Sequence, residues 1–277
     1  MRNIRIIPKL EVKNDNLVKG INHEGLRILG PASEFIKKYS KEDFDEIIII
    51  DCVSSLFGTP SAFKLIDNIA KRLRIPMAYG GGLKSLKNST MALNQGADRI
   101  IVNSSIFKNN NLLKDLINKI GTANIIVSIY TKVLDGEYRC FTESSRNLAK
   151  NNLNQRLNYL QKNFDGEILI NSIEFDGKCN GIDLNLIKIL SKRKKQTFLY
   201  SGGVTSEKDL KDIVNLSDNI SGIVIASSLH YQFLKENKNN RKYLDFRAIE
   251  SIENNMSFTR KFTPKRILKK FPKISTR

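Results

Sequence analysis

Short runs of branched apolar residues punctuate this chain, and each is too brief for a helix. They include Ile6-Ile7-Pro8-Lys9-Leu10-Glu11-Val12, Glu46-Ile47-Ile48-Ile49-Ile50-Asp51, Ile101-Val102, Ile125-Ile126-Val127-Ser128-Ile129-Tyr130-Thr131, Ile168-Leu169-Ile170 and Val224-Ile225. Continuous β-branched runs of this length predict strands buried on both faces of a parallel sheet. Between them lie helical patterns. The stretch from Pro60 to Leu73 places Phe63, Ile66, Ile69, Ala70 and Leu73 on one face. Ser206 is a good N-cap for a helix running to Val214, with Glu207 and Asp209 in its first turn.

The apolar runs also repeat. The segments at Ile6, Glu46, Gly80-Gly81-Gly82 and Ile101 recur in the same order at Ile125, Glu167, Ser201-Gly202-Gly203 and Val224, about 120 residues further on. Two sets of four strands, each strand followed by a helix, predict an α/β fold: a (β/α)8 TIM barrel built from two half-barrel repeats. The barrel is expected over residues 1–234, with a basic extension over 235–277.

Composition adds bounds to this picture. The apolar fraction of 40% is enough to fill a core, and no apolar run is long enough to span a bilayer. Three scattered cysteines and two histidines, His23 and His230, form no metal-binding or disulfide pattern, and nothing calls for a cofactor. A basic start followed only by short strand-like segments is unlike a signal peptide, so a cytoplasmic location is expected. The net charge is +18, and residues 235–277 hold 13 Lys/Arg against four Asp/Glu. The last stretch of that extension, Thr259 to Arg277, has eight basic residues and no acid, and fits a solvated, partly ordered tail, or a surface for nucleic acid or anionic membrane.

In a barrel of this kind the active site lies at the C-terminal ends of the strands. There the sequence places Glu11, Asp51, Gly81-Gly82, Asn103-Ser104, Tyr130, Ser172, Ser201-Gly202-Gly203 and Ala226-Ser227-Ser228. Glycines let backbone N–H groups approach an anion, and a following helix adds its N-terminal dipole. The pairing of glycines with small polar residues occurs twice, on opposite sides of the mouth, and suits a ligand with a phosphate at each end. The bland alternative is that these glycines only allow tight turns.

The runs Arg5-Ile6-Ile7-Pro8, Val18-Lys19-Gly20, Tyr79-Gly80-Gly81-Gly82, Asn171-Ser172-Ile173-Glu174-Phe175-Asp176-Gly177 and Tyr200-Ser201-Gly202-Gly203 resemble the cyclase subunit (HisF) of imidazole glycerol phosphate synthase. The likeness extends over about residues 1–234. It implies a barrel that binds a bisphosphorylated ribulosyl-aminoimidazole at its mouth and docks a glutaminase on the opposite face. Ammonia passes through the barrel, cleaves the substrate and closes an imidazole ring, yielding imidazole glycerol phosphate and aminoimidazole carboxamide ribotide in histidine biosynthesis.

The resemblance also implies roles for particular residues. Arg5, Glu46, Arg99 and Glu167, at the N-terminal ends of strands one, two, four and six, match the family's ring of opposite charges at the channel entrance; a purely structural ion-pair ring is the alternative. Arg99 stands where a lysine is usual, and Asp98 matches a position facing the glutaminase. Lys19, Asp51, Asn171, Asp176 and Gly177 would meet substrate at the mouth, although Asp51 and Asp176 also suit loop ion pairs or turns. The family's acid and base are two aspartates, whose places hold Glu11 and Tyr130. Glutamate keeps the carboxylate one methylene further out, while tyrosine donates a hydrogen bond but is a poor base at neutral pH. Catalysis is therefore expected from Glu11, Tyr130 and Asp176. Three functions follow: the histidine-pathway cyclase, an ammonia-supplying subunit for amidating a sugar in surface-polysaccharide synthesis, or a non-catalytic phosphate- or nucleic-acid-binding protein using the basic tail. Binding of nucleic acid is the least expected.

Overall fold

The computed structural model describes residues 4–54, 61–71 and 73–236. The first half opens with β1 (Arg5–Lys13), β2 (Asn16–Ile21), β3 (Glu24–Pro31) and α1 (Ala32–Tyr39). It continues with β4 (Ile47–Asp51), α2 (Ser61–Ala70), β5 (Met77–Gly80), α3 (Leu86–Asn94), β6 (Arg99–Val102), α4 (Ser104–Lys108) and α5 (Asn110–Ile120). The second half opens with β7 (Ile125–Leu134), β8 (Glu137–Thr142), β9 (Asn147–Asn152) and α6 (Leu153–Asn163). Then follow β10 (Glu167–Ser172), α7 (Leu184–Ser191), β11 (Thr197–Ser201), α8 (Glu207–Leu216), β12 (Ile220–Ile225) and α9 (Ser227–Glu236).

Eight parallel strands pair in the order β1, β4, β5, β6, β7, β10, β11, β12, and β12 returns to β1. The sheet is thus a closed barrel. The predicted unit, a strand followed directly by a helix, is modified at the same place in both halves. β2 and β3 form an antiparallel hairpin after β1, and β8 and β9 extend β7 in the same way. Helices α6 and α8 each start with a capping box, Asn152 with Gln155 and Ser206 with Asp209. The helix expected from Pro60 is seen as α2, while Pro60 itself lies outside the described residues. Apart from Lys235 and Glu236 at the end of α9, the predicted extension over 235–277 also lies outside them. Cys52, Cys140 and Cys179 are buried free thiols. Among the described residues no helix is long and apolar enough to cross a membrane.

Strand alternation sorts side chains into two cores. One face packs against the surrounding helices. The other face fills the barrel, where each strand contributes one residue to an apolar layer: Ile7, Ile48, Ala78, Ile101, Ile126, Leu169, Leu199 and Val224. On β1 the inward column reads Arg5, Ile7, Lys9, Glu11, so charge lies both below and above the apolar layer.

His230 ties α9 to the barrel. Its Nδ1 is 2.8 Å from the Tyr39 hydroxyl and its Nε2 is 3.0 Å from the Lys9 carbonyl oxygen. Burial pulls its pKa from 6.5 down to about 3, so the folded protein holds a neutral ring. Below pH 6.5 the unfolded chain takes up a proton that the folded one refuses. Stability is therefore expected to fall by about 1.4 kcal/mol per pH unit from this group between pH 6.5 and 3, and to be unaffected by it above that window. Thermal unfolding midpoints from pH 8 to 4 should show a shallower slope in His230→Leu than in the wild type. Equal slopes would remove His230 as the cause.

Candidate active site

The mouth of the barrel holds a buried network of five ionisable side chains. Lys19 of β2 donates from Nζ to Glu11 Oε2 at 2.7 Å and makes a short hydrogen bond to Asp176 Oδ1. Lys9 Nζ donates to Asn171 Oδ1 at 3.3 Å and Asp176 Oδ2 at 3.4 Å, and lies 3.2 Å from Glu11 Oε1. His23, in the turn between β2 and β3, places Nδ1 3.6 Å from Glu11 and Nε2 3.7 Å from Asp176. Each carboxylate therefore meets both lysines and the histidine.

Charge sets the protonation states. Burial pushes Glu11 up, but Lys19 and Lys9 outweigh it and hold its pKa at about 2. Burial likewise opposes ionisation of Asp176, and Lys19 with its neighbours holds that carboxyl far below the usual range. Burial lowers the His23 pKa more than the two carboxylates raise it. The Tyr130 phenol is pushed well above 10 by burial and by Glu11. At neutral pH the mouth thus contains two carboxylates facing the two lysines, a neutral imidazole and a phenol that keeps its proton. The His23 ring meets Tyr130 edge-on, with centroids 5.0 Å apart.

Glu11, His23 and Asp176 bring ligand atoms within 4.8 Å of one another, as a metal site would require. Two ammonium groups already satisfy both carboxylates and would repel a cation, so this donor set does not suit a metal.

Two cavities flank the network. One of about 230 Å³ is lined by Gly81, Gly82, Asn103, Ser104, Asp51 and Tyr130, among others. The other, about 20 Å³, is lined by Asp176, Gly177, Ser201 to Gly203 and Ala226 to Ser228. They open beside β5 and β11, opposite strands of the barrel, as the repeat predicts. The smaller cavity has room for about one water, and the β2–β3 hairpin lies against the Asp176-Gly177 turn on its rim. There the Asn22 amide donates to the Asp176 carbonyl at 2.9 Å, and Gly20 lies against Gly177.

Several predicted residues also make structural hydrogen bonds. Asp51 Oδ1 accepts from the Val53 and Ser54 amides at 2.9 Å, and Oδ2 from the Ser54 hydroxyl at 2.5 Å, so its carboxylate shapes its own loop. Asn103 donates to the Ser128 carbonyl at 2.8 Å. Asn171 lies beneath the network on Lys9 and Ser128 and lines neither cavity. Lys9 and His23 were not predicted as site residues. The available signal for Lys9 was the two-residue alternation that puts Arg5, Ile7, Lys9 and Glu11 on one face of the strand.

Gly203 shows how tightly the smaller cavity is built. Its φ is +77°, and an added Cβ would lie 1.8 Å from the Gly181 carbonyl oxygen. Gly121 has nearly the same φ, +78°, with nothing near its missing Cβ. Gly121→Ala should therefore lose only the strain of that backbone conformation (φ +78°, ψ 154°), roughly 1–3 kcal/mol, and Gly203→Ala a further cost of its clash, roughly 1–3 kcal/mol more. Thermal unfolding of the two variants checks this, and equal losses would contradict it.

The opposite end of the barrel carries a closed ring of alternating charge. Arg5 donates to Glu46 at 3.0 Å and makes a short bond to Glu167. Arg99 donates to Glu46 at 3.3 Å and to Glu167 at 2.8 Å. Burial raises the Glu46 pKa against its two arginines, whereas in the more open Glu167 the arginines overcome burial and hold it at about 2. Asp98 is exposed beside this ring, one oxygen accepting from the Met77 amide at 2.8 Å.

A closed eight-stranded α/β barrel with paired glycine turns at the mouth and an ionic ring at the floor defines the class of protein. Residues 5–235 match the family of histidine biosynthesis proteins, and the chain belongs to it. Within that family it is HisF-like, of the imidazole glycerol phosphate synthase type. It is 32% identical to the imidazole glycerol phosphate synthase subunit HisF of Legionella pneumophila, over 74% of this chain and 97% of that protein. The HisF subunit of Campylobacter concisus is 31% identical over 89% of this chain and 96% of its own length. A Campylobacter jejuni protein bearing the subunit name hisF2 is 33% identical over 81% of this chain and 90% of its own.

Proposed function

We propose that this chain is the synthase half of a glutamine-fed enzyme. A glutaminase docks on the floor beside Asp98, and the ammonia it releases enters through the ring of Arg5, Glu46, Arg99 and Glu167. It then reaches a phosphorylated acceptor at the mouth. The observation that carries this reading is the position of a closed ionic ring at one end of a barrel whose other end has glycine-lined cavities on opposite sides.

In the first form of the reaction the acceptor is the bisphosphorylated ribulosyl-aminoimidazole of histidine biosynthesis. Its phosphates would rest on Gly81-Gly82 with Ser104, and on Gly202-Gly203 with Ser227 and Ser228. Backbone N–H groups and helix starts offer hydrogen bonds to those anions. Ammonia condenses with the ribulosyl carbonyl with loss of one water, the amidine C–N bond breaks to release aminoimidazole carboxamide ribotide, and the remaining atoms close the imidazole ring of imidazole glycerol phosphate. Glu11 and Asp176, fixed as anions, would orient the incoming ammonia, and Tyr130 would donate to an acceptor oxygen.

A second reading rests on the same network. With both carboxylates ionised and the Tyr130 phenol holding its proton, no carboxyl group is available as an acid and Tyr130 is not available as a base at neutral pH. That favours a simpler use of ammonia, amidation of a sugar in surface-polysaccharide synthesis. The purified protein incubated with ammonium and the bisphosphorylated intermediate distinguishes the two. Formation of imidazole glycerol phosphate supports the first reading. Its absence, with folded protein, leaves the second.

A further inference from the structure

Lys9 is fully buried inside the barrel, on top of the apolar layer and beneath the mouth. Its side chain leaves β1 and ends at residues of the far wall: Nζ lies 3.3 Å from Asn171 Oδ1 on β10 and 3.4 Å from Asp176 Oδ2 just beyond it. The third neighbour, Glu11 Oε1, is 3.2 Å away. Two hydrogen-bond acceptors and a further carboxylate oxygen at ion-pair distance thus surround one nitrogen, which carries three N–H donors. His23 Nε2 is also buried here, without a hydrogen-bond partner among the described residues, 3.7 Å from the same Asp176 oxygen. Ring, apolar layer, Lys9 and mouth follow one another up the inward column of β1, so Lys9 ends where a path along the axis would open into the mouth.

We propose that this point is an ammonium subsite, filled in the resting protein by the tethered ammonium of Lys9. Ammonia moving up the axis would then have to displace Lys9 before meeting an acceptor. That consequence rests on the ammonia-fed reading above, whereas the subsite itself does not. The acceptor set suits ammonium by charge and by hydrogen bonding: two carboxylates and an amide oxygen surround a small cation that donates N–H bonds in several directions. A cation without N–H groups would meet the charge but not the hydrogen bonds.

The test is chemical rescue in the full-length protein. Lys9→Ala removes the ammonium and opens the space of its stem, and the melting midpoint should fall by roughly 6–15 °C. Ammonium chloride should restore half or more of that loss with a saturating dose response, while sodium chloride and tetramethylammonium chloride at equal ionic strength should not. Lys9→Met keeps the stem filled, so ammonium should restore nothing there. If Lys9→Ala folds only in part, the yield of soluble refolded protein in the three salts gives the same comparison. Equal effects of all three salts on Lys9→Ala, or equal rescue of Lys9→Met, would overturn the subsite. Because no turnover is measured, selective rescue in a protein that never uses ammonia would retain the subsite and reject only the synthase reading.

Discussion

Arg99→Met is expected to cut glutamine-fed product formation by roughly tenfold or more, a loss of about 1.4 kcal/mol or more in effective delivery, while ammonium-fed turnover stays within about twofold. The reasoning begins with the ring. One Arg99 guanidinium nitrogen reaches both glutamates, and Arg5 bridges the same pair from the other side. Removing Arg99 leaves Glu46 and Glu167 to share Arg5. Glu46 is the more buried, and burial already raises its pKa, so it would take up a proton or turn toward water. Either response opens the floor. Ammonia released by the glutaminase would then escape at the subunit junction instead of entering the axis. The mouth lies beyond the apolar layer and keeps its network, so ammonium supplied in bulk should still reach the acceptor. The measurement is the ratio of glutamate released to product formed. A ratio unchanged from wild type would exclude the ring from ammonia transfer.

The barrel was legible because its strands announce themselves. Ile47 to Ile50 or Ile168 to Ile170 have no polar face to offer solvent, and their recurrence at one spacing requires two similar halves. The paired hairpins were not legible. Asn147–Asn152 is mostly polar, and it becomes a strand by pairing with β8 rather than by its own preference. At the site, the glycine turns could be read because positive φ leaves a compositional mark, as at Gly203. Of the ionic network, Lys9 left only its alternation with Glu11 along β1, and His23 left no mark. Lys9 sits within an apolar run and meets Asp176 across 167 residues, a contact created only by closure of the barrel. Asp51, for which the strand-end position allowed either substrate contact or a turn, lines the larger cavity while both its oxygens accept from its own loop.

Asp176→Asn should be the most damaging single change at the mouth. In the native network the charges of Lys9 and Lys19 are balanced by Glu11 and Asp176, with His23 neutral, and all four charged groups are buried. Asparagine keeps the shape but leaves two ammonium groups on one carboxylate. Uncompensated buried charge of this kind costs roughly 3–5 kcal/mol, which corresponds to a melting midpoint roughly 6–15 °C lower. Activity should fall with it, because Lys19 and Glu11 lose the partner that fixes them. Stability and activity can be separated by restoring neutrality. Asp176→Asn combined with Lys9→Met removes one charge of each sign, so the pair should be less destabilised than the sum of the single changes, by at least about 1 kcal/mol of coupling. Its activity should remain low if Asp176 itself contacts the acceptor. The pH dependence is a second check. Glu11 titrates at about 2 in the folded protein and nearer 4.5 unfolded, so its stabilising contribution is complete above about pH 4.5 and is lost as pH falls toward 2. Asp176 is held low in the same sense, so neither carboxylate should produce an inflection in a rate profile between pH 5 and 8. An inflection in that range that disappears in Glu11→Gln would show that Glu11 exchanges a proton during turnover, and the mouth would then be an acid–base site instead of a fixed electrostatic frame.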